Sequence, residues 1–581
     1  MVSPSPTASS IWTRPTFPTG TTFVNSGSKC GVSNNGAACN VDLCCGLPLN
    51  TPDYFCGNAA KHCGKDRCNG AFGSCWTNAT DISTPTAPIP LSIGRITRKG
   101  AMLYDGTKPF RFLSINVPGF LLTEDREIAP KVWVNPTSYE QNDAALSINV
   151  LEGRVIRTYT LGVGPQHHIT GIRAYNEAAF RAMDEAIAAA GRNGVRVIIP
   201  LINSKLSVLM VICEDCLFKM IMFCPDHFPS QPISPNWLYG DYGRFTELYG
   251  LPLNSFFNST VVRDGFKHLI TFLLTRTNTV TGWKYADDPT ILAIETGNEL
   301  GGREADGPAP PGEWTVDIAQ HIKSLAPNVL VMDATFGGNA RWNATALASP
   351  YVDIFTSHLY GEDPNLINTD GNVAARNNKA YIVGEFGLTE TISRYTAYMN
   401  TIIANTNVTG GLTWSLRYHA RDGGFYTHSE GYGNFYSYHV PGFPANFTNQ
   451  WGTEEASIIP TLRSKALQIT GQSTSKAYPA PPAPQMIQGD ATITPRNLRW
   501  RGSAWGASYN IYRGTRASNG SISWGSSPIA TGVKDNVRFG RRIYTDTSAV
   551  RGTQYYYSVR AVSVSGGLST YSDILGPVRE P

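Results

Sequence analysis

Between residues 93 and 472 the sequence alternates short apolar strands with amphipathic helices, and this alternation is its strongest constraint on the fold. Eight candidate strands can be counted, at 109–117, 154–160, 195–203, 290–298, 329–335, 352–359, 380–385 and 409–416. Helical patterns lie between them, for example at 173–191 and 260–275. Apolar strands that alternate with helices are typical of a parallel sheet covered on both faces. We therefore predict an α/β fold, a (β/α)8 TIM barrel enlarged by loop insertions.

Two of the candidate strands end in a carboxylate beside a glycine. Glu299 lies in the stretch Ile291-Leu-Ala-Ile-Glu-Thr-Gly-Asn-Glu-Leu300, and Glu385 lies in Tyr381-Ile-Val-Gly-Glu-Phe-Gly387. The C-terminal strand ends of a (β/α)8 barrel form its catalytic face. One such glutamate also fits a plain solvated loop, but two of them, each after an apolar run, favour chemistry. We interpret Glu299 and Glu385 as the two carboxylates of a glycosidase.

The segment 93–472 resembles glycoside hydrolase family 5, and within it the endo-β-mannanases more than the cellulases. The residues that carry this resemblance are Asn298-Glu299, Glu385 in Gly-Glu-Phe-Gly, Arg157 in Val-Ile-Arg-Thr-Tyr, His358 and Tyr360 in Ser-His-Leu-Tyr, and Trp414 in Leu-Thr-Trp-Ser. The resemblance implies a barrel that hydrolyses a β-linked polysaccharide by retaining double displacement. We expect no metal and no organic cofactor.

Retaining hydrolysis needs one carboxyl group to protonate the leaving oxygen and another to attack the anomeric carbon. Glu299 is assigned as the acid/base, with a pKa that burial and its negative neighbour should raise. Glu385 is assigned as the nucleophile, which Arg157 and Tyr360 should keep ionised. A buried Arg157 requires a carboxylate partner, and a surface-facing Arg157 is the alternative. Asn298 is expected to donate to the sugar 2-hydroxyl, unless it only forms a turn.

Further strand-end residues are candidate substrate contacts. His358 could orient Glu299 or a sugar hydroxyl, or be a core histidine. Trp414 is expected to form the floor of a sugar subsite, with core packing as the alternative. The weaker candidates are Asn116, Asn203 and His419.

Composition favours a modular protein. The 581 residues exceed what a single core usually contains. A formal net charge of +4 is too small to argue for nucleic acid, and no apolar run is long and uncharged enough to span a bilayer. We expect a monomer.

The cysteines point to secretion. Eight of the eleven lie between Cys30 and Cys75, which is typical of a disulfide framework made in an oxidising compartment. The start Met1-Val-Ser-Pro has no apolar signal region. We take the start to be truncated, with a cytosolic protein as the alternative. Six N-x-S/T sequons add weight to a secreted glycoprotein, at Asn78, Asn258, Asn343, Asn407, Asn446 and Asn519.

Residues 30–76 resemble the hevein-like chitin-binding module of carbohydrate-binding family 18. The resemblance rests on the adjacent pair Cys44-Cys45, on Cys-Gly at 30–31 and 56–57, and on the ending Asn69-Gly-Ala-Phe-Gly-Ser-Cys75. It implies the disulfides Cys30–Cys45, Cys39–Cys56, Cys44–Cys63 and Cys68–Cys75. Chitin binding would use Tyr54, Phe55 and His62. Because several of the family's binding positions differ here, a disulfide module with altered or lost specificity stays the alternative.

The remaining segments complete the domain prediction. Residues 1–29 are rich in Ser, Thr and Pro and are predicted to be disordered. Linkers are predicted at 77–92 and 473–485. Residues 486–581 show period-two alternation and weakly resemble a fibronectin type III β-sandwich. In it Trp505 and Trp524 either contact polysaccharide as exposed rings or pack in the core of a spacer.

One segment does not fit the barrel. Residues 205–236 are dense in Met and Cys and contain the three cysteines outside the N-terminal module. Leu201-Ile-Asn-Ser204 would join naturally to Trp237-Leu-Tyr-Gly. We interpret 205–236 as a translated intron or other gene-model error; a genuine insertion is the alternative, and a zinc site is disfavoured.

The sequence therefore predicts a secreted, retaining endo-β-glycosidase that hydrolyses a β-1,4-linked wall polysaccharide, with mannan favoured. A β-glucanase, or a hydrolase of another chitin-associated polymer, is the close alternative. A wall-binding lectin with an inactive barrel is the alternative of another class.

Overall fold

A computed structural model describes residues 87–125, 132–204, 241–302, 309–388, 391–428, 437–444 and 454–580. Before residue 87 it gives only the backbone of short strands, among them a three-stranded sheet of Lys29–Cys30, Cys44–Gly46 and Tyr54–Gly57. The side chains predicted to bind chitin, the predicted disulfides and the segment 205–236 lie outside the described residues.

Eight parallel strands form the barrel. They are β1 Phe112–Ile115, β2 Val155–Arg157, β3 Arg196–Pro200, β4 Ile291–Glu295, β5 Leu330–Asp333, β6 Ile354–Leu359, β7 Ala380–Phe386 and β8 Gly410–Thr413. From β2 to β8 each strand pairs with the next, and β8 pairs with β1. Between β1 and β2, Val117 N donates to Arg157 O at 3.0 Å and Ser114 Oγ donates to Val155 O at 2.6 Å. The predicted barrel and its eight strand positions are confirmed.

Each barrel strand is followed by a helix. The helices are α1 Ser138–Val150, α2 Glu177–Arg192, α3 Thr260–Thr275, α4 Gly312–Leu325, α5 Ala344–Ala348, α6 Asn365–Arg376, α7 Ile392–Ala404 and α8 Glu455–Ile469. A further short helix, Tyr242–Glu247, precedes α3. The helix predicted from residue 173 begins four residues later, because the Asn176 side chain caps it by accepting from the Ala178 and Ala179 N–H groups. In the described part of the chain, no helix is long and apolar enough to cross a membrane.

Apolar side chains close the N-terminal end of the barrel, and this leaves the C-terminal end for polar groups. The hairpin of Ile96–Lys99 and Met102–Asp105 precedes β1 at the N-terminal end. Ile96 and Leu103 of this hairpin pack with inward residues such as Phe112 and Ile382. A larger apolar cluster lies between the strands and the surrounding helices. The C-terminal strand ends are thus left for the functional site.

The C-terminal residues form antiparallel sheets. A five-stranded sheet contains Ser508–Arg516, Ile522–Trp524, Ala530–Val533, Gln554–Val562 and Leu575–Arg579, and Gln485–Met486 pairs with Trp500–Arg501. The fibronectin type III assignment stays a prediction. Of the two alternatives for Trp505, the structure supports core packing: Trp505 is 7% exposed, packs in the barrel's apolar cluster and donates its Nε1–H to Pro479 O at 3.0 Å. Trp524 is 37% exposed.

The C-terminal residues dock directly on the segment that follows β8. Phe425 N donates to Val537 O at 2.9 Å, and Phe539 N donates to Phe425 O at 3.0 Å. His419 lies between Asp143 of α1 and Asp535, with its Nε2 3.0 Å from Asp535 Oδ2. Backbone hydrogen bonds and a buried ionic contact therefore join the C-terminal residues to the barrel.

Candidate active site

The barrel brings polar side chains from several strand ends together at its C-terminal face. Arg157 ends β2, Glu295 ends β4, and Glu299 follows β4 by four residues. His358 lies in β6 and Glu385 lies in β7. Parallel strands end at one edge of the sheet, so residues far apart in sequence meet there.

Arg157 is the centre of the cluster and is fully buried. Its Nε and Nη2 donate to the two oxygens of Glu295, at 2.7 and 3.0 Å. Its Nη1 donates to Glu385 Oε1 at 2.7 Å, and Nη2 also donates to Asn298 Oδ1 at 2.7 Å. Burial alone would lower the pKa of Arg157, but Glu295 and Glu385 outweigh burial and raise that pKa, so the guanidinium stays charged.

Glu295 is a site residue that the sequence prediction missed. It is fully buried and forms a two-point pair with Arg157, the geometry that a planar guanidinium favours. Burial raises the pKa of Glu295 to about 7, against the opposing effect of Arg157. The signal that could have identified it was present in the sequence, since Glu295 is a lone carboxylate inside the apolar run that ends β4, just as Arg157 is a lone cation in β2.

Glu385 is held from two sides. Arg157 donates to its Oε1, and the Tyr360 hydroxyl donates to its Oε2. Burial raises the pKa of Glu385, while His358, Arg157 and the Tyr360 hydrogen bond oppose that rise. These partners fix the orientation of the carboxylate and supply the positive charge and hydrogen bonds that an ionised group requires.

Glu299 lies opposite Glu385 and is the more open of the two acids. Its side chain is 22% exposed, against 5% for Glu385. One oxygen each of Glu299 and Glu385 and a ring nitrogen of His358 all lie within 4.8 Å of one another. The backbone at Glu299 has a φ of 52°, in the left-handed region. Two residues earlier, a Cβ on Gly297 would lie 2.6 Å from Ile202 O, so only glycine fits this turn.

His358 links the two acids. Its Nδ1 lies 2.8 Å from Glu299 Oε1 and 3.5 Å from Glu385 Oε2. Burial lowers the pKa of His358 to about 4, so the imidazole is neutral at ordinary pH. A Cβ on Gly384 would lie 2.8 Å from His358 Nε2. The glycine before Glu385 therefore leaves the space that the histidine ring occupies.

Among the described residues, Glu299, His358 and Glu385 form a group that could hold a metal ion. Neutral imidazole and carboxylate are ordinary zinc ligands. The guanidinium of Arg157 already binds Glu385 Oε1, and its positive charge opposes a cation at that carboxylate. The donor set therefore fits a carboxylate pair better than a metal centre.

The remaining predicted substrate contacts are three asparagines and Trp414. Asn298 Nδ2 donates to Asn203 Oδ1 at 2.9 Å, and Asn116 Nδ2 donates to the Gly384 carbonyl at 3.0 Å. All three asparagines are buried. Asn116 and Asn298 each accept from Arg157, and Asn203 contacts Asn298. Trp414 lies just beyond β8, with its ring centroid 6.1 Å from that of Tyr159.

His419 does not join the site. It is fully buried between Asp143 and Asp535 at the junction with the C-terminal sheet. The weak prediction of a substrate contact at His419 is therefore wrong, because the chain turns away from the barrel face after Trp414.

Residues 231–386 match a family model described as GH family 5 beta-mannosidase-like. The matched part of the chain contains β4 to β7 and is similar to the family 5, mannosidase-like glycoside hydrolases. The matched residues include Glu295, Asn298, Glu299, His358 and Glu385 of the candidate site. The other parts of the site come from chain segments on either side of the match.

Curated proteins are similar to parts of the chain. The chain is 25% identical over 290 residues to mannan endo-1,4-beta-mannosidase 7 of Arabidopsis thaliana, covering 42% of this chain and 61% of that protein. It is 31% identical over 163 residues to putative mannan endo-1,4-beta-mannosidase 5 of Oryza sativa subsp. japonica, covering 26% of each. The chain thus spans less than two thirds of the length of these relatives.

Solved structures are also similar to the chain, among them two mannanases. The endo-1,4-beta-mannanase from Rhizomucor miehei is 19% identical with a TM-score of 0.46, covering 65% of this chain and all of that one. The endo-1,4-beta-D-mannanase from Thermotoga petrophila RKU-1 is 18% identical with a TM-score of 0.44, covering 62% of this chain and all of that one.

Proposed function

We propose that the protein is a retaining β-glycosidase in which Glu299 is the acid/base and Glu385 the nucleophile. The observation that carries this proposal is the approach of the two carboxylates, which have oxygens within 4.8 Å of each other. Retaining enzymes hold their two carboxyl groups about 5–5.5 Å apart, whereas inverting enzymes leave about 6.5–9.5 Å for a water molecule. The separation in this barrel supports direct attack by a carboxylate.

The contacts of Glu385 suit a nucleophile. Arg157 and Tyr360 donate to different oxygens of the carboxylate, which stabilises its ionised form. Attack on the anomeric carbon would form a glycosyl ester with Glu385 as the leaving oxygen departs. Once the ester has formed, Glu385 no longer carries a negative charge. Glu295 then remains as the carboxylate that balances the Arg157 guanidinium.

The contacts of Glu299 suit an acid/base. Neutral His358 carries one ring proton, and on Nδ1 that proton donates to Glu299 Oε1. This leaves Oε2 of Glu299 to deliver its proton to the leaving oxygen in the first step. In the second step Glu299 takes a proton from the water that hydrolyses the glycosyl ester.

We infer that the substrate is a β-1,4-linked wall polysaccharide, with mannan favoured and endo action expected. The curated relatives that carry the name mannan endo-1,4-beta-mannosidase support this choice. The cysteine-rich segment 30–76 supports secretion and an appended chitin-binding module, which would raise the local concentration of enzyme at a chitin-containing wall. A β-glucan is the alternative substrate for the same carboxylate pair.

The first prediction tests the carboxylate pair on a panel of mannan, β-glucan and chitosan. Glu385→Gln removes the nucleophile and is expected to lower kcat at least about 10⁴-fold while leaving the melting temperature close to that of the wild type. NMR of the products should show retention of the β-anomer at the first cleavage. No release of reducing sugar from any member of the panel would favour a binding protein with an inactive barrel, and an inverted product would exclude Glu385 as the nucleophile.

A further inference from the structure

An arginine-lined cavity lies in the C-terminal part of the chain, away from the carboxylate pair. Its volume is about 610 Å³, within the range of about 300–1,000 Å³ typical of ligand pockets. The lining residues are Asn497, Arg499, Val537, Arg538, Gly540, Arg541 and Arg542. Four of the seven are arginines and none is acidic, although the formal net charge of the whole chain is only +4.

Arg499 is the fixed member of the set. Its side chain is 11% exposed and pairs with Asp490. Its Nη2 also donates to Thr492 Oγ1 at 2.9 Å, and its Nη1 donates to Gly540 O at 3.3 Å. Asp490 neutralises one of the four arginine charges. Arg541 and Arg542 add two further positive charges beside this preorganised guanidinium.

A tight turn carries the other three arginines to the cavity. Arg541 N donates to Arg538 O at 3.1 Å, and Gly540 between them has a φ of 71°. Gly540 N donates to Gly423 O of the barrel at 2.9 Å, so docking on the barrel fixes the turn. Arg541 and Arg542 follow this turn and are exposed. Neither has a carboxylate within ion-pair distance among the described residues.

We propose that this cavity binds the carboxylate groups of an acidic polysaccharide. A guanidinium presents its N–H groups in a planar fork that matches a carboxylate, and several of them along one surface suit a polymer with regularly spaced acids. The cavity would hold the enzyme on an acidic wall polymer while the barrel acts on a neutral one. The choice of a polysaccharide over other polyanions rests on the proposed glycosidase function.

The experiment measures the retention of the full chain in native gels that contain polygalacturonate. The same polymer with its carboxyl groups methyl-esterified is the neutral reference. Wild-type protein is expected to be retarded by polygalacturonate and not by the ester, with less retardation as NaCl rises. The double variant Arg541→Gln/Arg542→Gln should bind at least about tenfold more weakly, since it loses two charged forks.

A matched control removes two exposed positive charges elsewhere. Lys99→Gln/Lys108→Gln changes the hairpin and the strand Lys108–Pro109 beside it, and gives the same net charge as the arginine double variant. Equal weakening by both pairs, or no retardation of the wild type, would overturn the proposal. Equal retention by double-stranded DNA at matched charge would assign the cavity to polyanions in general and also overturn it. Glu385→Gln should be retarded like the wild type. Binding to polygalacturonate can therefore be judged even if the glycosidase proposal fails.

Discussion

Arg157 is the residue on which the electrostatics of the site depend. It is a fully buried cation between two carboxylates, and a buried cation with a missing partner would be costly. Glu295 supplies two of its hydrogen bonds and Glu385 supplies one. Glu295 therefore holds the guanidinium in the orientation that presents Nη1 to Glu385. Its part in the proposed reaction is positioning, because it acts through Arg157.

Glu295→Gln tests that positioning role. Burial raises the pKa of Glu295, repulsion from Glu385 adds to that rise, and the repulsion is mutual. Removing the negative charge should lower the pKa of Glu385 and move the acid limb of the kcat/KM profile to lower pH. Glu385, the proposed nucleophile, would then be paired with an uncompensated Arg157 and should also be less reactive. We expect kcat to fall by about 10–100-fold with little change in KM.

The readout for Glu295→Gln is the pH profile, since a purely structural defect would lower activity without moving the acid limb. Asp264→Asn is a suitable control because Asp264 is an exposed carboxylate on α3. An acid limb at the wild-type position would contradict the assignment of Glu295.

His168 gives a prediction about stability. It is fully buried beside the Phe180 ring, and neither ring nitrogen has a hydrogen-bond partner in the described structure. Burial lowers its pKa to about 3, and His167 adds to this. A histidine with a depressed folded-state pKa binds protons more readily when unfolded, so stability falls as pH drops from about 6.5 towards 3. The slope from one such group is at most about 1.4 kcal/mol per pH unit.

His168→Leu should therefore flatten the acid side of the stability curve. The variant replaces an unpaired imidazole by an apolar side chain of similar size. Melting temperatures measured between pH 4 and pH 7 should converge or cross, with the variant more stable at pH 4. Parallel curves for the two proteins would show that His168 does not titrate on unfolding.

At the scale of elements, the strands and their order could be predicted from sequence because buried parallel strands are apolar throughout. The pair Glu299 and Glu385 could be predicted for the same reason, since the barrel brings its strand ends to one face. The role of Glu295 could not be predicted from its place in an apolar strand, because that role depends on the strand register that sets Glu295 against Arg157. The start of α2 was misplaced since only the fold shows which residue caps it.

The segment after β8 is the element whose environment the sequence did not indicate. It leaves Trp414, passes through the buried His419, and pairs at Phe425 with backbone of the C-terminal sheet. Burial lowers the pKa of His419, but Asp143 and Asp535 outweigh burial and raise that pKa to about 10. His419 is therefore charged at neutral pH and holds the two parts of the chain together.

Asp535→Ala should weaken this junction. Breaking a buried ion pair by removing one partner costs about 3–5 kcal/mol, and Asp143 would keep part of the interaction. Because the pKa of His419 is raised, its contribution is fully present below about pH 6.5 and is lost as pH rises through about 10. Calorimetry should show a larger loss for Asp535→Ala at pH 6 than at pH 10.5. An equal loss at both values would mean that His419 is not charged in the wild type.

At the scale of the whole molecule, the barrel and the C-terminal sheets form one packed structure. Trp505 of the C-terminal part lies in the barrel's apolar cluster, and Ser147 Oγ of α1 donates to Ala504 O at 3.2 Å. Alternation along a strand shows which residues face a core, but it does not show which neighbour supplies that core. A segment whose sequence suggests an independent module can therefore dock tightly, and Trp505 packs in a core that the barrel supplies.

The described residues on either side of the anomalous segment 205–236 lie next to each other in the barrel. Tyr242 N donates to Asn203 O at 3.0 Å, and Asn203 pairs with Asp241 as a parallel bridge. The fold therefore needs only a short connection between Ser204 and Asp241. Deleting 205–236 would leave four residues, 237–240, to make it. Shortening a loop from 36 residues to four lowers its closure cost by about 2 kcal/mol.

We therefore expect the chain without 205–236 to melt at the same temperature as the full chain or higher. Its activity on the polysaccharide panel should equal or exceed that of the full chain, because Asn203 contacts Asn298 beside the proposed catalytic acids. Deletion of 241–247, which removes the Asp241 cap and the helix Tyr242–Glu247, is the contrasting variant and should lose stability. If the 205–236 deletion unfolds the barrel or abolishes an activity that the full chain possesses, the segment is an integral part of the protein and the gene-model interpretation fails.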